Sequence, residues 1–358
     1  MALFRRRKEN VVGLDIGSRT IKLAEVAEAK KGFTLKKFGM TDITPGLIED
    51  GTIKNPEAVA EAIRKLLLEN KIKEKNIAIS VGGYSVIVKP ITVQNMPREQ
   101  LQQTIQFEAE QYIPFDINDV NLDFEILGED PENPNQMNVL LVAAKKDIVN
   151  DYVNLIEMTG VMPRIMDVDA FALQNIYEVN YDPEDESVAL IDVGANKTTL
   201  NIVKGTNSVL IRDVSLGCSQ INEQIKSHID SSISLEEAEK LYHSGQDDKI
   251  SSKELIDIVS TVVTDWCAEI RRALDFFYQT YPGDHIKRII LSGGGANIKK
   301  FRELLAEETS SKVEVIDPFE SFTIGSGFDT SYLERVAPQS AICLGLALRK
   351  VNDRVVKK

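Results

Sequence analysis

The chain has 358 residues, 43% of them hydrophobic and 27% charged, enough for two domains or one split domain with a buried core. A formal charge of -13 argues against nucleic acid as the main partner.

MALFRRRKEN opens the chain with Arg5, Arg6, Arg7 and Lys8 but no apolar stretch behind them, so it is not a secretory signal. It reads as a solvated tip or as a weak contact with anionic lipid, at roughly 1 kcal/mol per charge near the surface. Hairpin signals fill residues 10–43. Within them, in VVGLDIGSRTIKLAEV, an apolar strand runs up to Asp15. Gly17 and Ser18 break it, and a second β-prone run starts at Ile21. A plain turn needs only Asn-Gly or Asp-Gly, so the acid, the glycine, the hydroxyl and Lys22 raise the question of a site. NPEAVAEAIRKLLLEN is a predicted helix, with Asn55 as cap, Pro56 in the first turn and Val59, Ile63, Leu66 and Leu67 on one face.

Residues 76–93 read as two strands around Gly82-Gly83. PREQLQQTIQFEAEQYI follows as a helix with an apolar stripe of Leu101, Ile105, Ala109 and Tyr112, stopped by Pro114. Strands near 120–128 and 137–144 flank the polar loop GEDPENPNQ, and a helix over 146–159 ends at Gly160. The block 84–162 therefore reads as a compact α/β insertion between two larger regions.

SVALIDVGANKTTLNIVKG, residues 187–205, repeats the opening pattern of apolar strand, Asp, x, Gly, polar turn and second strand. In DVSLGCSQINEQIK, Gly217 ends a strand. Asn222, Glu223 and Lys226 then lie on one or two adjacent helix faces, meeting either a ribose or adenine, or water. A long helix over 253–280 carries Val262, Trp266, Ile270, Leu274 and Phe277 as a core stripe. RIILSGGGANIKKF is strand, glycine turn and helix, and a last helix spans 337–350. Cys218, Cys267 and Cys343 are far apart and His228, His243 and His285 scattered, so neither disulfides nor a zinc site is expected and a reducing cytoplasm fits. No run approaches the roughly 20 apolar residues of a membrane helix.

Asp15-Ile16-Gly17-Ser18 and Asp192-Val193-Gly194-Ala195 sit at equivalent places, one per half. Facing each other, two such hairpins make a clamp. Glycine lets backbone N–H groups approach phosphate oxygens closely. Each Asp can hold a hydrated Mg²⁺, and Lys22 can bridge phosphates as a point charge. The triple glycine Gly293, Gly294 and Gly295 with Asn297 can lay a ring and ribose against bare backbone, or serve only as a tight strand-to-helix turn.

In this order the motifs resemble the actin, sugar-kinase and heat-shock-chaperone ATPase superfamily. GLDIGSRTIKLAEV, NMPREQLQQTIQFEAEQYIPFDINDVNLDFEIL and CLGLALR resemble the type IV pilus assembly PilM family, close to FtsA, the cell-division actin homologue. The resemblance implies an α/β, actin-like (ribonuclease H-like) fold of two lobes with an FtsA-type inserted α/β subdomain. The first lobe would take 1–83, 163–186 and 330–358, the insertion 84–162, and the second lobe 187–329. It also implies ATP or ADP with Mg²⁺ as cofactor. Asp15, Gly17, Ser18, Arg19 and Lys22 take the first phosphate role, and Asp192, Gly194, Ala195, Asn196 and Thr198 the second, with Asp15 and Asp192 serving Mg²⁺ through water. Gly217, Asn222, Glu223 and Lys226 join Gly293, Gly294, Gly295 and Asn297 around the nucleoside. Asp169 in DVDAFAL, ahead of Asp167, takes the place of the acid that positions water, or is a helix N-cap.

One departure bears on turnover. Active members read Asp-x-Gly-x-Gly-Thr or Asp-x-Gly-Asp-Gly at the second turn. Here Asp192-Val193-Gly194-Ala195-Asn196-Lys197-Thr198 lacks the second glycine and a second acid. Phosphoryl transfer depends on positioning and electrostatics, so nucleotide binding with weak hydrolysis is expected. The implied partner is the cytoplasmic N-terminal peptide of PilN, and through it PilO and the pilus assembly ATPase, which places the chain in the cytoplasm at the inner membrane. The peptide would dock at a strand edge of the insertion, with Tyr112, Pro114 and Phe115 as contacts or as core and turn packing. A homo-oligomer is also compatible. The alternatives are an FtsA-like, filament-forming division protein and a small-molecule kinase. The first is disfavoured by the end RKVNDRVVKK, which has no aromatic apolar face. The second requires a base facing a substrate pocket.

Overall fold

In the computed structural model, which describes residues 10–29, 32–181, 186–229, 232–244 and 249–351, the chain begins with a hairpin. Arg5–Lys8, the basic stretch, lies outside the described residues. Strand β1 (Val12–Ile16) pairs antiparallel with β2 (Thr20–Glu28), which sets Asp15 opposite Lys22, and β3 (Phe33–Asp42) continues the sheet. A small ribbon of β4 (Ile48–Glu49) and β5 (Thr52–Ile53) leads into α1 (Pro56–Glu69). The Asn55 side chain caps α1 by accepting the Ala58 N–H at 3.0 Å, and the helix buries Val59, Ile63, Leu66 and Leu67. Strand β6 (Asn76–Val81) then runs parallel to β1.

A self-contained unit follows: β7 (Val86–Gln94), α2 (Arg98–Ala109), β8 (Val120–Glu129) and β9 (Gln136–Lys145). Its strands lie in the order β7-β9-β8, and α2 presses Leu101, Ile105 and Ala109 onto Val139 and Leu141. Helix α2 stops at Ala109, short of Ile113, and the chain tightens there through a bond from the Tyr112 N–H to the Ala109 carbonyl at 2.9 Å, which the Ile113 N–H shares. The next helix, α3 (Lys146–Met158), leaves this unit: Tyr152, Leu155 and Ile156 are buried with Ile63 and Leu67 of α1. The unit is therefore narrower than the block 84–162 read from the sequence. An apolar stripe shows that a helix is buried, not which sheet it covers. Strand β10 (Met162–Val168) returns to pair with β6, and α4 (Asp169–Asn180) follows directly.

The second half repeats the scheme with β11 (Ser187–Val193), β12 (Thr198–Lys204) and β13 (Asn207–Val214). Helices α5 (Ser219–Ile229), α6 (Leu235–Ser244) and α7 (Ser252–Thr280) come next. Then come β14 (Arg288–Ser292), α8 (Lys299–Thr309) and β15 (Lys312–Val315). The chain closes with β16 (Phe322–Thr323), α9 (Thr330–Val336) and α10 (Ala341–Ala347). The first sheet has the order β10-β6-β1-β2-β3-β16 and the second β15-β14-β11-β12-β13. Apart from β16, which has no counterpart, the two agree strand for strand, and in each the first hairpin strand is parallel to its other neighbour. The repeat read in the letters is thus a repeat of whole sheets. Strand β16 belongs to the first sheet, although its residues fall in the range read as the second lobe. Trp266 is core, packed with Phe277 and Phe301, and its indole N–H donates to Gln220 at 2.7 Å.

Two helices join the lobes. Helix α10 packs on β1 and β2, α4 packs on β11 and β12, and the two pack on each other. Their residues Ala172, Leu173, Ile176 and Leu344 form one core with Ala24 and Val26 of the first sheet and Val188 and Leu190 of the second. Gly345 makes the crossing possible, since a Cβ there would stand 1.8 Å from the Ala172 carbonyl oxygen.

Candidate functional site

Both hairpin turns close in the same way. The Gly17 N–H donates to the Thr20 carbonyl at 3.1 Å and the Gly194 N–H to the Lys197 carbonyl at 2.9 Å. A Cβ at Gly17 would lie 2.9 Å from that carbonyl and one at Gly194 3.0 Å from its counterpart, so each turn is drawn tight around a bare α-carbon. The turns face a cavity of about 420 Å³, which Gly293, Gly294 and Asn297 also line. Gly293 holds φ at +80°, and its N–H donates to the Pro338 carbonyl at 2.8 Å.

The cavity gathers most of the residues singled out in the sequence. Asp15, Gly17, Ser18, Arg19 and Lys22 come from the first hairpin, and Asp192, Gly194, Ala195 and Asn196 from the second. Asp169 and Asn222 line it too. Asp169 is the first residue of α4 rather than its cap, and Asp167 is turned away, its carboxylate paired with Arg349 at 3.0 Å.

Five others do not line it. Thr198 is buried and donates its hydroxyl to the Leu216 carbonyl at 3.0 Å. Gly217 braces the second turn, since a Cβ there would meet the Ala195 carbonyl oxygen at 2.2 Å. Gly295 packs on the Val193 side chain. On α5, Asn222 reaches the cavity, while Glu223 is rotated to the exposed side and Lys226 sits one turn further on. The N–H groups where that helix opens are spent on the turn itself: that of Cys218, just before it, donates to the Gly194 carbonyl at 3.1 Å, and that of Ser219 to the Ala195 carbonyl at 2.9 Å. Tyr112, Pro114 and Phe115 lie in the inserted unit. There the Lys89 ammonium covers the Tyr112 ring at 5.2 Å, that of Lys145 covers Phe115 at 4.2 Å, and Pro114 is exposed.

Charge is concentrated here. Burial raises Asp15 above the usual carboxylate range despite Lys22 at 3.0 Å. Burial disfavours the Lys22 ammonium, but the charge and hydrogen bond of Asp15, together with the charge of Asp192, lift the lysine above its ordinary value. Burial drives Asp192 up to about 6, with partial relief from the Ser292 hydroxyl at 2.7 Å. Asp169 moves the other way. Burial opposes its charge, yet the Lys197 ammonium at 2.6 Å and the Ser80 hydroxyl hold it below the usual range.

Lys197, Glu239 and Gly82 belong to the site and were not singled out in the sequence. Lys197 sits inside the second turn, where a solvated lysine is unremarkable; its only signal was a cation in a duplicated acid–glycine corner. Glu239 comes from α6 and pairs with Arg19. Gly82 lies at the end of β6, against Asp169 and Lys197.

Residues 13–351 match the family described as type IV pilus assembly protein PilM. The chain belongs to this family. A solved structure described as the PilM-PilN type IV pilus biogenesis complex contains a chain 28% identical to this one, with a TM-score of 0.85 over 96% of this chain and 99% of that chain. Ethanolamine utilization protein EutJ from Carboxydothermus hydrogenoformans is 13% identical, with a TM-score of 0.56 over 94% of this chain and 89% of its own. MreB5 of Spiroplasma citri, in a structure bound to ADP, is also 13% identical, with a TM-score of 0.52 over 94% of each chain. These two similarities speak to fold, which is actin-like and α/β. Among the described residues of this PilM-family chain, no helix is long and apolar enough to cross a membrane.

Proposed function

We propose that this chain is a nucleotide-binding component of a type IV pilus assembly platform, taking ATP or ADP with Mg²⁺ between its lobes and turning it over slowly. The observation that carries this reading is the pair of equivalent acid–glycine turns, one per lobe, lining a single cavity. The residues present suit such a group. Gly17 and Gly194 let both turns close tightly at the cavity wall, and Asp192 is a buried acid raised to about 6 that a divalent cation would return to its charged form.

Gly17, Ser18, Lys22, Gly194, Ala195 and Asn196 would hold the phosphates, Asp15 and Asp192 the hydrated Mg²⁺, and Asn222, Gly293, Gly294 and Asn297 the nucleoside. When bound, Mg²⁺ would neutralise phosphate charge. Asp169 is held ionised, and in this structure its carboxylate is paired with Lys197. Slow hydrolysis is read from the second turn, Asp192-Val193-Gly194-Ala195-Asn196, which lacks the second glycine and second acid of active members.

The inserted unit of β7, α2, β8 and β9 corresponds in this reading to the FtsA-type subdomain, between a first lobe built on the β1 sheet and a second built on the β11 sheet. It takes the cytoplasmic N-terminal peptide of PilN, the partner named with the 28%-identical relative. Of its two edge strands, β7 carries Pro90, which cannot donate to a ladder, so β8 is the better edge for an added strand. That contact would hold the chain at the cytoplasmic face of the inner membrane, beside PilO and the pilus motor. The angle between the lobes would change with the nucleotide and alter the shape of the groove.

Calorimetric titration with ATP and ADP, with and without Mg²⁺, tests the cleft. Anisotropy of a labelled PilN N-terminal peptide tests the partner. The expected result is Mg²⁺-dependent nucleotide binding and a peptide affinity that differs between nucleotide states. No nucleotide binding at millimolar concentration would sink the first part, and no peptide binding in any state the second.

A further inference from the structure

The Gly82–Gly83 junction connects β6 of the first sheet to β7 of the inserted unit, and it rests on an ion pair of the cleft. A Cβ at Gly82 would lie 2.4 Å from Asp169 Oδ2 and 2.6 Å from Lys197 Nζ, so only a hydrogen fits between junction and pair. Gly83 follows with φ at +80°, and its Cβ would stand 3.6 Å from Lys197 Cδ. The second lobe grips the same place. The Gly83 N–H donates to Asp213 Oδ2 at 2.7 Å, and the other Asp213 oxygen accepts the Thr199 hydroxyl. Lys197 and Thr199 belong to one hairpin, so the turn that faces the cleft also holds the root of the inserted unit. The returning chain is tied there as well, since the Lys145 N–H donates to the Ser85 carbonyl at 3.0 Å.

Lys197 can change partners. Its side chain is 33% exposed, against 18% for Asp169, and it lines the cavity. Its stem is flexible and its charge compact. A terminal phosphate brings more negative charge than one carboxylate and several strong acceptors.

We infer that Lys197 couples the cleft to the inserted unit: paired with Asp169 it fixes the Gly82–Gly83 junction, and drawn to a terminal phosphate it releases that junction. This rests on the nucleotide reading above and gives it a specific residue. Lys197 is then what distinguishes a triphosphate from a diphosphate, and the orientation of the β7-β9-β8 sheet is the readout.

Spin labels at Gln103→Cys on α2 and Thr261→Cys on α7 report the distance from the inserted unit to the second lobe by double electron–electron resonance. Cys218, the partly exposed native cysteine among the described residues, is replaced by serine throughout. A fluorescent nucleotide follows binding separately. In the labelled parent, a non-hydrolysable ATP analogue with Mg²⁺ shifts the distance and ADP with Mg²⁺ does not. Lys197→Gln keeps a donor to Asp169 but loses the charge. It binds the ATP analogue about tenfold more weakly, and at saturation gives one distance with both nucleotides. Asp213→Ala, outside the cleft walls, gives the shifted distance already with ADP. A Lys197→Gln protein that binds the analogue and still shows the parental shift overturns the coupling and leaves nucleotide binding intact. A parent that binds both nucleotides without any shift does the same. A parent that binds neither overturns both.

Discussion

Arg19, in the turn of the first hairpin, and Glu239, on α6 of the second lobe, meet across the cleft at 2.6 Å. Two guanidinium N–H groups, from Nε and Nη2, converge on the same carboxylate oxygen, while Nη1 donates to the Ile43 carbonyl. Both side chains are 23% exposed, so the pair is partly shielded from solvent. A pair of that kind contributes about 1 kcal/mol, and here it acts between lobes rather than within one.

Glu239→Gln is therefore expected to loosen the closed cleft. Nucleotide dissociation should quicken about fivefold, the kinetic equivalent of about 1 kcal/mol. Stopped-flow release of a fluorescent nucleotide measures this. Raising ionic strength should reproduce part of the effect in the parent and little of it in the variant. Equal release rates in the two proteins would mean that the pair does not hold the lobes.

Asp192 predicts a pH dependence of unusual sign for a carboxylate. Burial raises it to about 6 in the folded protein, and unfolding returns it to the ordinary range near 3.9. The folded state thus binds the proton more tightly. Its contribution is fully present below about pH 4 and is lost as pH rises through about 6. The nucleotide-free protein should accordingly lose stability between those values through this group. Asp192→Asn should remove that dependence and stabilise the empty protein at pH 7 by roughly 1–3 kcal/mol. Mg²⁺-dependent nucleotide affinity should fall in the same variant. Thermal melts from pH 4 to 8, with and without nucleotide and Mg²⁺, separate the two effects. A variant that melts in parallel with the parent at every pH would show that the acid is not strained.

Asp15 and Asp192 could be found in the letters because a carboxylate at the buried end of an apolar strand, two residues before a glycine, has no packing reason to be there. The two sheets were legible for the same reason, as one pattern written twice. Thr198 stands behind the cavity wall with its hydroxyl on the Leu216 carbonyl, which could not be read beforehand because hairpin register is invisible in a linear sequence. Thr199, not Thr198, lies opposite Asp192, and a shift of one residue turns a side chain to the other face. Lys197 and Glu239 were missed because their partners are tertiary. Asp169 is 28 positions from Lys197 and Arg19 is 220 from Glu239, and no local spacing encodes either meeting. Helix α3 shows the same gap at the level of packing: Tyr152, Leu155 and Ile156 announce burial, and only the fold shows that the first lobe provides it.

The joint between the lobes gives the last prediction. At Gly345, alanine has a helix preference about 1 kcal/mol better than glycine, so the isolated helix α10 would gain. The fold allows no such gain. The added methyl would sit 1.8 Å from the Ala172 carbonyl oxygen, a backbone atom that cannot swing aside, so α10 and α4 must separate. Overpacking of this kind costs about 3 kcal/mol, and the helix preference offsets only a third of it. Gly345→Ala should therefore destabilise by about 2 kcal/mol or more, read as an earlier midpoint in urea. Gly325→Ala supplies the control, since a Cβ there meets nothing within 4 Å, and its midpoint should stay or rise slightly. Because α10 and α4 are the floor on which both hairpins stand, Gly345→Ala should also weaken nucleotide binding without touching a cleft residue. A variant as stable as the parent would mean that the two helices are not pressed together at this glycine.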